Sequence, residues 1–506
     1  MNKLLCLIIF FAWPAYGQVV QTARYETPFF QESDPQYFVV PWQRNGALIY
    51  RRLETESSDL LQLIKVNTEL EEEWAKSIDV SKQLSLVFSK GYDDMAYFLF
   101  KPRKFYGDFQ LFAISHDSSA SVVYTIKNII PFSPTMFEIG KKNLLIAGYY
   151  NYRPVVILFS MDTGQSKLLP GFFNEPGELD QLILNEDESV NVIVSMRNTD
   201  RRRNLWIMNY TADGTSIKNT IINPPRDKNL IFGRMMKTAG DSVIMAGVYG
   251  KNVEYSRGVF VASINPTGEY TIRYYNFGDL KNFFKYMRVA RQNRIEDRIE
   301  RKKVKGKKLR FNYRIVVHEF IPYHDHFLML GEAFYPIYKS TGYSGSRAVP
   351  FYNYRYNTPG SWQQSDYVFD GYRYTHAVTI GIAKDGKLLW DNSFEIKNVK
   401  SYTLDQYVHL IHGNNLNLLY SFDNKLYFKS IQGLEVVENK TEDLMKGLYE
   451  NDQVKKNSTQ NHHLDYWYDD YLLSYGVQEL QNRSTPNVAL NRKVFFVNKI
   501  TFKDNP

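Results

Sequence analysis

Cysteine is nearly absent. Cys6 is the only one in 506 residues, and it stands inside an N-terminal segment with the order of a secretory signal peptide. Met1, Asn2 and Lys3 lead into an apolar run from Leu4 to Trp13, and small residues, Ala15 and Gly17, occupy the two positions a signal peptidase reads. Cleavage is expected near Gly17, giving a signal peptide over 1–17 and a mature chain over 18–506 that has no thiol. Disulfides, thiolate metal sites and cysteine nucleophiles are thereby excluded. Cys6 also lacks the small residues of a lipobox before it. Long apolar runs are missing too. No later segment reaches the ~18 consecutive apolar residues of a membrane helix, so no transmembrane segment is expected in the mature chain.

The motifs of common chemistries are equally scarce. His318 and Glu319 with His324, Asp325 and His326 form the densest histidine group, but zinc-ligand spacings, His-Glu-x-x-His included, are absent. Asp93–Asp94 and Asp469–Asp470 stand at the same point of a repeat, where turn formation explains both. No nucleophile elbow, P-loop, dinucleotide glycine pattern or sialidase-type Asp-box occurs. The reading is of a chain with no catalytic residue, metal site or cofactor.

What the chain does have is aromatic residues, 38 Tyr and 33 Phe, with Gly and Pro as punctuation. That composition favours β structure. A phrase recurs at a period of ~50 residues, the length of a propeller blade: a polar turn with Asp, Asn or Gly, then an apolar strand. It begins at 45, 93, 142, 187, 241, 325, 415 and 470. A second phrase, strand, tight turn and strand, follows at 159–164, 210–214, 264–268 and 382–390, where Asp-Gly and Thr-Gly supply the positive φ of short hairpins. Each unit thus has four strands, a to d. The expected fold is all-β, a β-propeller of eight four-stranded blades, with seven as the alternative. The eighth unit has three obvious strands, and its fourth is expected from 19–25, which closes the ring and leaves no open edge.

The segment 382–390, ending in Trp390, resembles the strand, turn and tryptophan phrase of the quinoprotein-type propeller repeat, with 66–74, ending in Trp74, as a weaker echo. That superfamily includes eight-bladed quinone-dependent dehydrogenases and a scaffold of outer-membrane protein assembly. The resemblance implies the blade plan. It does not imply the dehydrogenase activity, because the vicinal cysteine pair is missing from the mature chain. The short signal followed by Tyr-, Asn- and Lys-rich blades is similar to envelope proteins of Bacteroidota.

Two insertions interrupt the period. One, 278–310, is basic: residues 281–310 hold 13 of the 62 Lys and Arg but only three of the 54 acids, so the rest of the chain has 49 bases against 51 acids. Its pattern predicts a helix over 280–304 with Phe283, Phe284, Met287, Ile295 and Ile299 on one stripe and Gly306 as the stop. The other, 336–374, reads as a tyrosine-rich loop. In a four-stranded blade the b-to-c and d-to-a connections share one side. The basic insertion is d-to-a and the tyrosine-rich one the next b-to-c, so they should be neighbours. The expected partner-binding residues are Arg291, Arg294, Arg298, Arg301, Lys302 and Lys303 from the first, and Arg347, Tyr352, Tyr354, Arg355, Tyr356, Trp362, Tyr372 and Arg373 from the second, since Arg and Tyr are enriched at interface hot spots.

The functional expectation is a non-catalytic exported propeller acting as an interaction or scaffold component of a bacterial cell-envelope complex. Its place is the periplasm, the outer membrane or the cell surface of a Gram-negative bacterium. Its partner is an envelope protein, or else a glycan or anionic envelope polymer, and not nucleic acid. The alternative is a glycan-binding protein or polysaccharide-degrading enzyme that uses the propeller funnel.

Overall fold

Central strands of this chain are apolar almost throughout, as in Asn143–Tyr150 and Val190–Arg197, because both of their faces are covered. Outermost strands alternate instead: Glu72–Val80 exposes every second residue. This gradient from solid to alternating pattern repeats from sheet to sheet. The computed structural model describes residues 18–503 except 30–34, 105, 119, 172–175, 199–201, 239, 241, 308, 341–347, 354–357, 365–366, 413–414, 424 and 458–461. The expected signal segment therefore lies outside the described residues. The fold is all-β, an eight-bladed propeller of four-stranded antiparallel sheets with one α-helix among the described residues. The alternative of seven blades falls.

Contacts divide the chain into two units. The larger, 35–68 with 72–408, holds six blades, whose strands run over 38–80, 84–126, 133–168, 177–222, 229–276 and 314–395. In blades two to six the inner strand carries one extra residue at the same place: Val87, Thr135, Asp180, Ile231 and His318 each fall at a register shift against the second strand. Such bulges bend and twist a strand. Apolar side chains of adjacent blades interlock, as where Tyr97, Leu99 and Leu111 meet Phe137, Ile146 and Ile157.

The smaller unit, 1–34, 69–71 and 409–506, holds two blades. The first comprises His409–His412, Leu416–Phe422, Lys425–Gln432 and Glu435–Leu444. In the second, His463–Tyr468 and Gln453–Asn457 both pair with Tyr471–Gln481, followed by Asn491–Lys503 and then the N-terminal strand Gln18–Pro28. The N-terminal strand is the expected fourth strand, antiparallel from Gln18 opposite Lys503 to Pro28 opposite Val494. Arg24 locks it, donating to Glu26 (2.6 Å), Asn498 (2.9 Å) and Gln478 (2.8 Å).

Two expectations need correction. Helix α1 spans Val289–Val304, not 280–304. The Asp391 carboxylate takes the backbone N–H groups of Lys281 (2.9 Å) and Asn282 (2.7 Å), and Phe283 and Phe284 turn into the core beside Phe277 and Leu280. The first half of the apolar stripe is thus a tertiary plug. The chain is still extended at Arg288, and the helix ends as expected where Gly306 takes φ +62°. The tyrosine-rich insertion is not a loop. Strands His326–Ser340 and Tyr367–Ile382 pair all the way from Phe327–Ile382 to Ser340–Tyr367, and a second hairpin, Ala348–Asn353 with Thr358–Gln364, follows. Aromatic residues opposite one another on the two strands stabilise such pairing.

Candidate functional site

Two connections of the larger unit converge on the root of the long hairpin. The basic insertion enters first. His376, fully buried, lies flat under Tyr286 with ring centroids 3.6 Å apart, and Phe283 and Tyr313 close on it edge-on at 5.1 and 5.7 Å. Burial holds the imidazole down at about 3, so at neutral pH it is an uncharged ring in a stack. The Tyr286 and Tyr313 hydroxyls meet at 3.2 Å, and burial raises both phenols. The second connection, from blade five, is tied in where Ser256 and Tyr313 exchange backbone hydrogen bonds of 2.7 and 3.0 Å. The two insertions are therefore neighbours, as topology requires.

Above this root the hairpin has two unlike faces. One is filled: Phe334 packs on Tyr372 and Tyr374, Phe369 on Tyr372 and Tyr338, and Tyr374 on Tyr407. Tyr374 donates to the Asp405 carbonyl (2.9 Å), and the segment Lys400–Ser401 adds a short third strand against Tyr372 and Arg373. Gly371 makes room for it: its φ is +107°, and a Cβ there would stand 2.8 Å from the Ser401 carbonyl. The other face is open. Tyr335 lies opposite Arg373 and Lys339 opposite Val368, all four exposed, while Tyr338 and Tyr402 reach solvent at the rim of the filled face beside Phe369. Asp370 sits between Lys339 (3.1 Å) and Lys400 (2.9 Å), and the Lys400 ammonium stands 5.5 Å from the Tyr402 ring. On the Tyr338 side Arg314 lies over Tyr255 at 4.5 Å and pairs with Glu254. This is an open surface of aromatic rings and cations on a rigid backing.

Of the expected partner-binding residues, Arg291, Arg294, Arg298, Arg301, Lys302 and Lys303 are exposed on α1, and Arg373 is exposed on the hairpin. Tyr372 is buried and serves the filled face. Tyr352 and Trp362 belong to the strands of the second hairpin, while Arg347, Tyr354, Arg355 and Tyr356 lie outside the described residues. Tyr335, Lys339 and Val368 complete the open face. Tyr335 precedes the insertion as the sequence delimits it, and Lys339 and Val368 lie within it.

Sequence reasoning also missed the carboxylates that clamp one blade's loops to the next. Besides Asp391, the fully buried Glu332 accepts the N–H groups of Tyr407 (3.0 Å) and Val408 (2.6 Å), with His318 Nε2 3.1 Å away, and Glu188 accepts those of Lys141 and Asn143 at 2.7 and 3.0 Å. Bonds of this charge-assisted kind are the strong ones. A second polar set follows the bulged inner strands. Lys90 pairs with Glu138 (2.5 Å), Arg234 donates to the Val317 carbonyl (3.0 Å), and Gln406 donates to Glu319. Burial raises Glu319, against the opposing pull of Gln406, His318 and Arg234.

Among the a-to-b and c-to-d turns of blades five and six lies a cleft of about 810 Å³. Its walls include Lys237, Tyr270, Arg273, Phe327, Lys384 and Asp385.

No protein-family profile matches the chain, and no curated protein matches it. Solved structures do. A polysaccharide lyase, Uly1, is 8% identical over 82% of this chain and 89% of its own, with a TM-score of 0.40. A europium-containing methanol dehydrogenase is 9% identical over 95% and 93%, at 0.41. A quinohemoprotein alcohol dehydrogenase from Pseudomonas putida is 11% identical over 95% of this chain and 76% of its own, at 0.44. At identities and TM-scores this low they carry no argument about this chain, and the three share no single activity.

Proposed function

We propose that this protein is a non-catalytic, exported propeller that holds a protein partner of the bacterial cell envelope on the open face of the blade-six hairpin. The observation that carries this reading is the grouping of Tyr335, Lys339, Val368 and Arg373 as exposed residues on one face of a hairpin whose other face is packed with aromatic rings. Rigid aromatic groups with guanidinium neighbours supply contact area at little conformational cost, the composition of interface hot spots. Export rests on the signal-like segment 1–17. The test is site-specific photo-crosslinking in the native host. A crosslinker at Tyr335 or Arg373 is expected to give one discrete protein adduct, and one at the exposed Ile217 of blade four none. No adduct from the hairpin, or the same adducts from Ile217, rejects the reading.

The cleft of blades five and six supports a second reading, a glycan or other small-ligand site, because its volume falls within the ~300–1,000 Å³ usual for such pockets. Calorimetry against an oligosaccharide panel distinguishes the two: binding abolished by Arg273→Ala and Lys384→Ala favours the cleft, and a blank panel removes it.

A further inference from the structure

The charges of α1 are sorted rather than mixed. Arg291, Arg294, Arg298, Arg301 and Lys305 are spaced three, four, three and four residues apart, the spacing that aligns side chains along one side of a helix. Lys302 stands beside them, four residues after Arg298. All six are exposed, and no ion pair involving them forms among the described residues; the Arg301 side chain donates only to the Asp297 backbone carbonyl, at 3.1 Å. Glu296 and Glu300 fall on the far flank in line with Lys303, and Asp297 borders the stripe near Arg294 and Arg301. Between the two flanks Ile295 and Ile299 fix the helix to the apolar core of blades five and six. The helix therefore presents a straight row of cations ~21 Å long, from 14 residues at ~1.5 Å each, on a mount that prevents it from rotating away.

The row repels itself. Like charges at three- and four-residue spacing destabilise a helix, and no ion pair among the described residues neutralises them. Two kinds of anionic surface are disfavoured by what the row lacks. A protein interface buries an apolar centre depleted of charge, and no exposed apolar residue lies on this flank; Val289 and Val304 face elsewhere. A bilayer-surface helix lays its apolar face into lipid, whereas here the apolar face is already packed on the propeller. A linear polymer with a charge at regular intervals needs neither. Guanidinium groups, four of the six cations, bind planar carboxylates and sulfates through paired hydrogen bonds.

We infer that the Arg291–Arg294–Arg298–Arg301 flank of α1 is a binding track for an anionic polysaccharide, a site separate from the hairpin face. The full mature chain is tested by biolayer interferometry on immobilised polygalacturonate and dextran sulfate, with neutral dextran, duplex DNA and phosphatidylglycerol vesicles as the other arms. Saturable binding to the acidic polysaccharides is expected, weakening steeply with salt. Arg298→Gln and the triple substitution of Arg294, Arg298 and Arg301 by Gln are expected to reduce it progressively, the triple by roughly tenfold or more, and to flatten the salt slope. Lys303→Gln, which removes the same charge from the far flank, is expected to stay within about twofold of the parent, because counter-ion contacts are local. Circular dichroism and Tm confirm that each variant is folded. Equal losses from Arg298→Gln and Lys303→Gln, no saturable binding, or tighter binding to DNA or vesicles than to either polysaccharide overturns the assignment.

Discussion

Glu319 is a carboxylate kept half out of water beside Arg234, His318 and the Gln406 amide. Burial raises it above its ordinary value, and the neighbours offset only part of that. A raised carboxylate binds its proton more readily in the folded than in the unfolded chain. Its contribution to stability is therefore present below the unfolded value and is lost as pH rises through the folded one. Glu319→Gln removes this titration. The Tm of the variant relative to the parent should be more favourable at pH 7 than at pH 4, and thermal unfolding at the two values checks it. A difference that is flat or runs the other way would mean that the ionised Glu319 is a net asset to the fold. No sequence signal pointed to this role. His318 and Glu319 belong to the densest histidine group of the sequence, but the pairing that matters, with Arg234 one blade away and Gln406 after the end of the same blade, depends on a bulge that composition and period do not reveal.

At the scale of elements, the blade plan was legible because it rests on local chemistry. Asp-, Asn- and Gly-rich turns and apolar central strands recur at a fixed spacing, and topology then placed both insertions on one side. What was not legible was which apolar residues of an insertion serve a helix and which serve the core. Phe283, Phe284 and Met287 fit the helical period, yet Asp391, over a hundred residues later, captures the backbone before them. The hairpin was hidden for a related reason: its strands are rich in Tyr, Gly and Pro, which read as loop until the partner strand supplies the pairing. The division within the basic insertion has a measurable consequence. Deleting 289–307 removes the helix but keeps the plug, and the protein should unfold cooperatively with a Tm within a few degrees of the parent. Deleting 281–310 also removes Phe283 and Phe284, each a buried ring whose loss costs about 3–5 kcal/mol. It should lower the chemical-denaturation midpoint severely or prevent folding. Equal midpoints for the two deletions would show that the plug does not support the core.

At the scale of the whole molecule, the two ends of the described chain meet in one sheet. Gln18–Pro28 covers the edge of Asn491–Lys503 along its length, so the last strand of the fold is supplied by the first. Signal cleavage near Gly17 would leave that strand at the very start of the mature protein, and its pairing could then be made only after the rest of the chain is complete. Its grip is largely polar. Arg24 is nearly sealed from solvent, its guanidinium 4.6 Å from the Phe496 ring, and Glu26 shares Arg492 with Asp452. Val19 adds an apolar anchor. Removing residues 18–28 uncovers a thirteen-residue strand edge, Asn491–Lys503, and an exposed edge of that length is a template for pairing with another chain. Light scattering after size exclusion should find dimers or larger species where the parent is resolved at a single mass. A synthetic peptide of residues 18–28, added in excess, should restore that mass by completing the sheet in trans. A truncated protein that keeps the parent's mass and Tm would show that the eighth blade is stable with three strands, and that the N-terminal strand is present for some purpose other than closure.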